Sequence, residues 1–167
     1  MKRILSLITV FTLLFTACEG DPGPPGPPGL PGQNADQYAA EAFEIVLDFE
    51  AENFYEFIEP YGFPVAQSSV TLVYISWSVE NGQDIWRPLP QTVIFEDGND
   101  LVYNYDFTQN DVRFFLEGSD LDGLGPEWTQ AQVFRVVVLP TVNAGRVDLS
   151  DLDAVMEMYG ITEFERR

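Results

Sequence analysis

Residues 43–50, Phe43-Glu-Ile-Val-Leu-Asp-Phe-Glu50, alternate strictly along most of their length. Side chains at every second position of a β-strand point to the same face of the sheet. One face of this segment would be apolar, formed by Phe43, Ile45, Leu47 and Phe49. The other face would be mostly acidic, with Glu44, Asp48 and Glu50 beside Val46. The pattern therefore predicts a half-buried β-strand, and it sets the fold class of the chain.

Six further segments are rich in β-branched and aromatic residues, and turn signals such as Asn81-Gly82 and Asp97-Gly98 separate some of them. They are residues 70–77, 84–87, 91–95, 101–107, 112–117 and 132–139. Segment 70–77 is apolar on both faces, which favours a central strand. The aromatic segment 53–64 is broken by proline and glycine and predicts a loop or a short edge segment. The fold predicted for residues 35–147 is mainly β, an antiparallel β-sandwich of about seven or eight strands, with a half-open barrel as the alternative.

The C-terminal part of the chain predicts one helix over residues 148–160. Apolar residues recur there at helical spacing, Asp148 can cap the N-terminus with Asp151 at the third helical position as in a capping box, and Gly160 is a natural stop. We expect this helix to pack on the sandwich, against a sheet edge or across one end. Residues 161–167 would form a tail.

A three-residue repeat precedes the β segments, at residues 18–34. Glycine occurs at every third position from Gly20 to Gly32, and proline at Pro22, Pro25, Pro28 and Pro31. The glycines are Gly20, Gly23, Gly26, Gly29 and Gly32. This is the composition of collagen, which favours the extended polyproline II conformation. The segment predicts a stiff collagen-like tether, which is either a single-chain spacer or a short triple helix in a homotrimer.

The first 17 residues have the parts of a secretory signal peptide. Lys2 and Arg3 precede an apolar run over residues 4–15 that is too short to span a membrane. Phe15-Thr-Ala-Cys18 resembles the bacterial lipobox, in which the cysteine is lipidated and begins the mature chain. Cys18 is the only cysteine and has no disulfide partner. An ordinary cleavage site beside an incidental cysteine is the alternative.

The resemblance extends to location and to the chain as a whole. Glu19 and Asp21 follow Cys18, and acidic residues there resemble the surface-export signals of Bacteroidota lipoproteins. The chain is similar to short collagen-like-repeat lipoproteins of the Bacteroidota, which combine a lipobox, Gly-X-Y triplets and a small β domain. This resemblance implies an outer-membrane lipoprotein anchored through lipid on Cys18, at the cell surface or facing the periplasm. It implies no particular activity.

Composition narrows the possible chemistry. The net charge is −19, and removing Lys2 and Arg3 with the signal peptide takes it to −21. Such a negative field repels nucleic acid, so no nucleic-acid partner is expected. The chain has no histidine and its mature part has no lysine, which excludes a Ser-His-Asp triad, histidine metal ligands and Schiff-base chemistry. Paired carboxylates are the one catalytic option left. We therefore expect a non-enzymatic protein without a cofactor.

Two sets of residues are weak candidates for a binding site. Asp120 and Asp122 lie in a Gly- and Asp-rich loop that resembles part of a calcium loop, but they lack a correctly spaced third ligand, so no metal site is predicted. Trp86 and Trp128 lie near turns, where exposed rings could bind a ligand, whereas Trp77 is expected in the core. The functions this leaves are a structural, adhesion or assembly-accessory module with an outer-membrane protein partner, or a glycan-binding accessory lipoprotein. Exposed and coplanar tryptophans would favour the second function.

Overall fold

A computed structural model describes residues 40–140 and 147–167 of the protein. The signal peptide, Cys18 and the five tether glycines all lie outside the described residues. Nine strands are found in the described part: β1 (Glu41–Leu47), β2 (Glu56–Pro60), β3 (Val70–Glu80), β4 (Gln83–Pro88), β5 (Gln91–Ile94), β6 (Asp100–Phe107), β7 (Asp111–Gly118), β8 (Gln132–Leu139) and β9 (Glu165–Arg166). The described helices are α1 (Pro126–Thr129), α2 (Leu152–Tyr159) and a 3₁₀ turn at Ala51–Asn53.

The strands form two sheets, which confirms the predicted β-sandwich. A five-stranded sheet has the order β4-β3-β8-β1-β9 and a four-stranded sheet the order β2-β7-β6-β5. All neighbours pair antiparallel except β1 and the two-residue β9, which pair parallel. The segment expected as a loop or short edge segment contributes β2, which lies at an edge of the four-stranded sheet. The two sheets are separate, so the half-open barrel does not describe them.

The inner faces of the two sheets make the main core. The alternating side chains of β1 that the sequence placed on one face, Phe43, Ile45 and Leu47, are all buried there. Phe114 of β7 meets Phe134 of β8 across the interface, with ring centroids 5.0 Å apart. Burial of such alternating apolar side chains is the dominant favourable term for a sandwich. Trp77, expected in the core, is partly buried and packs against it.

The outer face of the five-stranded sheet carries a second apolar cluster, which explains why β3 and β8 are apolar on both faces. Tyr74 of β3 and Val137 of β8 point away from the main core and pack against Leu152 and Val155 of α2. The helix therefore covers a sheet face. The expectation that it would lie at a sheet edge or across an end of the sandwich was wrong, because the sequence does not show which apolar face lacks a cover.

The ends of this helix also differ in part from expectation. Asp151 is the N-cap, and its side chain accepts a hydrogen bond from the backbone N–H of Ala154, so the helix begins at Leu152. Asp148 lies before the helix and accepts hydrogen bonds from the backbone N–H and the hydroxyl of Ser150, which lower the pKa of its carboxyl. Gly160 ends the helix in the left-handed conformation, as predicted.

Candidate functional site

The sandwich has two ends that differ in chemistry. The start of β1 lies beside the end of β8, since Glu41 pairs with Val138, and this is where the preceding chain enters. We call it the entry end. At the opposite end, Leu47 pairs with Gln132. The loops there are residues 48–55, 81–82, 95–99 and 119–131, and we call this the far end.

Trp128, one of the two candidate ligand aromatics, helps to line a cavity of about 250 Å³ at the far end. It lies on α1, which begins after Gly125 with Pro126 at its first position. The ring of Phe95, which follows β5, meets it edge to face, with centroids 5.4 Å apart and an angle of 82° between planes. Because the two rings are almost perpendicular, they form a corner. The other residues lining this corner pocket are Asp97, Asn99, Asp120, Gly123, Leu124, Gly125 and Glu127.

Two acidic side chains that line the pocket lie against two of its glycines. A Cβ atom at Gly123 would lie 2.6 Å from the Oδ2 of Asp120, and one at Gly125 would lie 2.3 Å from the Oε2 of Glu127. Both distances are shorter than a carbon–oxygen contact allows. The exposed carboxylates of Asp120 and Glu127 would therefore have to move if these positions carried a side chain.

The two weak metal candidates are not brought together as ligands. Asp120 accepts a hydrogen bond from the backbone N–H of Gly123 at 3.1 Å. Asp122 accepts one from the hydroxyl of Tyr55 at 2.7 Å, and this bond raises the pKa of the Tyr55 phenol. Within residues 40–140 and 147–167, no three acidic side chains converge in a way that could hold a metal ion.

Phe54 and Tyr55 are features of the far end that sequence reasoning missed. Both adopt left-handed backbone conformations, with φ of 59° and 56°. Such conformations are costly for bulky residues, and they persist only where the surroundings hold them. Here the carbonyl of Tyr55 accepts from the N–H of Leu116 and its hydroxyl donates to Asp122. Phe54 is thereby held with 81% of its surface exposed.

Trp86, the other candidate aromatic, lies elsewhere, on the outer side of the five-stranded sheet. The guanidinium of Arg135 lies between Trp86 and Phe164, 4.1 and 4.4 Å from their ring centroids. Its Nε also lies 3.1 Å from an Oε of Glu44. Trp86 and Arg135 line an open groove of about 710 Å³ beside the start of α2. The structure therefore does not combine Trp86 and Trp128 into one coplanar platform.

The ion pairs of the described residues lie away from the far-end loops. Each of them uses an acid of the strands or of the C-terminal segment: Glu44, Glu56, Glu59, Asp106 and Glu165. None involves an acid of the far-end loops. No aspartate or glutamate of the described residues is buried. The pair of buried carboxylates in a cleft that a hydrolase would need is therefore not found in this part of the chain.

Comparisons with known proteins add no relative. The chain matches no protein-family profile, no curated protein and no solved structure. Among the helices of the described residues, none is long and apolar enough to cross a membrane.

Proposed function

We propose that this chain is a membrane-anchored lipoprotein that displays its β-sandwich at the cell surface as a non-catalytic adhesion or assembly-accessory module. Lipid on Cys18 would hold the chain to the outer membrane, and the collagen-like residues 18–34 would space the domain from it. The observation that carries the proposal is the position of the entry end. The chain arrives at Glu41, at the opposite end of the sandwich from the aromatic and acidic loops. A tether attached there would leave those loops free to meet a partner.

The triplets suit the role of a spacer. A polyproline II segment rises about 3.1 Å per residue, so 15 residues would extend about 45 Å. Six prolines, four of them at the third position of a triplet, stiffen such a segment. A stiff spacer attached to a lipid anchor holds a domain beyond the lipid head groups, where it is accessible to large partners.

The absence of usual catalytic groups supports a binding role. Histidine is missing from the whole chain, and lysine occurs only at Lys2. The acids in the part of the chain that the structure describes are all at least partly exposed, which does not favour the raised pKa that a carboxyl general acid needs. A glycan-binding role is the alternative function. It receives no support from Trp86 and Trp128, because they lie in separate places.

Anchoring and display are tested together in cells. The natural chain should incorporate a labelled fatty acid, fractionate with the outer membrane and be cleaved when intact cells are treated with protease. The Cys18→Ala variant should lose the label and leave the membrane fraction. Label in the variant would refute lipidation at Cys18. Protection of the natural chain from protease, with cleavage only after the outer membrane is opened, would refute surface display.

Two further measurements address the form of the tether and the class of partner. Light scattering on the mature Cys18→Ser chain should give either one chain mass, as expected of a spacer, or three, as expected of a triple helix. If it gives three, Gly26→Ala should weaken the trimer, because only glycine fits at the axis of a collagen helix. Specific binding to a glycan array would support the alternative function, a glycan-binding accessory lipoprotein, over binding to a protein partner.

A further inference from the structure

The corner pocket has the chemistry of a cation-binding site. The faces of aromatic rings carry partial negative charge and attract ammonium or guanidinium groups placed over them. Phe95 and Trp128 both line the pocket and stand at 82° to each other, so a group bound in the corner would lie beside both rings. The rings come from loops that are distant in sequence, and the pocket they form opens at the far end.

The rim of the pocket adds charge of the matching sign. Asp97, Asp120 and Glu127 line it, and none of the residues that line it is basic. In the described part of the chain, the ion pairs lie elsewhere, so these three carboxylates face no arginine. The negative net charge of the whole chain would also attract cations and repel anions.

We propose that the corner pocket binds the cationic head of an arginine or lysine side chain from a protein partner. This inference rests on the proposed function, in which the far end faces that partner. A sugar is a poorer match, because perpendicular rings leave no flat platform for it. The volume of about 250 Å³ is also below the range of about 300–1,000 Å³ that is usual for complete small-molecule ligands. It is large enough for one side-chain head.

Two of the three carboxylates are already held in place. Asp97 accepts hydrogen bonds from the backbone N–H and the side-chain amide of Asn99, each at 3.0 Å. Asp120 is fixed by the N–H of Gly123, and this bond uses its Oδ1 and leaves its Oδ2 for a ligand. Side chains that are ordered before binding lose less entropy when the cation arrives. The pocket is in this sense preorganised.

The test is a titration followed by nuclear magnetic resonance, on the mature chain carrying Cys18→Ser. The probe is capped arginine, and the matched control probe is capped citrulline, a neutral isostere with a urea group in place of guanidinium. We expect a saturable shift of the Trp128 indole N–H signal with arginine. We expect citrulline to bind about tenfold more weakly, the size that a cation–π contact supports. Equal shifts with both probes, or no saturable shift with arginine, would overturn the inference.

A pair of charge-matched variants locates the site. Asp97→Asn, Asp120→Asn and Glu127→Gln together remove three charges and keep one acceptor oxygen at each position, so the bonds from the backbone N–H groups of Asn99 and Gly123 can persist, while the second bond from Asn99 to position 97 is lost. The control removes three charges from the α2 region: Asp153→Asn, Glu157→Gln and Glu163→Gln. The first variant should lose arginine binding by about tenfold or more, and the control should retain it. Equal losses would mean that the general negative field binds the probe and would overturn the inference.

A second variant tests the aromatic corner separately. Phe95→Leu keeps an apolar side chain of similar size but removes one ring, so it should weaken arginine binding and leave citrulline binding unchanged. An unaltered arginine affinity would refute a role for the rings. These experiments use the non-lipidated chain, so their failure would leave anchoring through Cys18 untouched, and failure of the anchoring test would leave the pocket untouched.

Discussion

Arg167 joins the open edges of the two sheets, and its removal should destabilise the fold far more than removal of its neighbour Arg166. The backbone N–H of Arg167 donates to the carbonyl of Glu44 in β1, on the five-stranded sheet. Its guanidinium reaches β2 of the other sheet, where it pairs with Glu59 at 3.2 Å. It also donates to the carbonyl of Tyr61 at 2.8 Å and lies 4.0 Å from the ring centroid of Phe43.

The expected magnitude follows from burial. The Arg167 side chain is only 17% exposed, so Arg167→Ala would leave Glu59 and a carbonyl oxygen largely shielded from water and without their partner. Breaking a buried pair costs about 3–5 kcal/mol, and the remaining exposure here puts the loss near the lower limit, about 3 kcal/mol. Arg166 is 89% exposed and its ion pair is longer, 3.6 Å, so Arg166→Ala should cost less than about 1 kcal/mol.

Urea unfolding of the mature Cys18→Ser chain, followed by tryptophan fluorescence, measures both losses. Each variant removes one positive charge from neighbouring positions, so the change in the general electrostatic field is matched. Arg167→Lys is a further control that keeps the charge and loses the planar fork, and it should recover less than half of the stability. If Arg167→Ala loses no more stability than Arg166→Ala, the reasoning about this contact is wrong.

Two more predictions concern the second apolar cluster and the buried tyrosines. Leu152→Ala should lower the free energy of unfolding by about 2–5 kcal/mol, because this side chain, in the second apolar cluster between α2 and the sheet, is only 5% exposed. Met158→Ala on the same helix, where the side chain is 43% exposed, should change it by less than about 1 kcal/mol. Similar losses for the two variants in urea unfolding would contradict the placement of the helix. Burial raises the pKa of Tyr74 and Tyr103 above their ordinary value of 10.0, so the folded state keeps their protons where the unfolded chain releases them. The stability that these two tyrosines contribute is fully present below pH 10 and falls as the pH rises above 10. Urea unfolding midpoints that do not change from neutral to strongly alkaline pH would contradict this prediction.

The strands were largely predictable because alternation is a local signal. In β1, the residues at every second position are those that the structure buries, and β3 was predicted as central because both of its faces are apolar. The sequence could not predict that α2 covers the outer face of the five-stranded sheet. The apolar spacing of α2 shows that one side of the helix is buried, but many apolar surfaces could receive it.

The candidate site was predictable only in part. Trp128 was selected because it lies near turns, and the structure places it in a pocket. Its partner Phe95 looked like the last residue of an ordinary strand. Asp120 was selected as a weak metal ligand, but its carboxylate lies over a glycine on the rim of the corner pocket. The left-handed conformations at Phe54 and Tyr55 have no signal in the sequence, since bulky residues are rare there.

By itself, the sequence determined the fold class and the exclusion of histidine- and lysine-based chemistry, and it carries the predictions of a lipid anchor at Cys18 and a collagen-like tether. Each of these depends on residue type or short-range periodicity, which can be read without knowing which residues are in contact in the folded protein. The tertiary structure alone decided that α2 covers a sheet face, that Arg167 joins the two sheets and that Phe95 and Trp128 form a corner. These contacts join segments far apart in the chain, and they form only when the two sheets pack and bring their loops to one end.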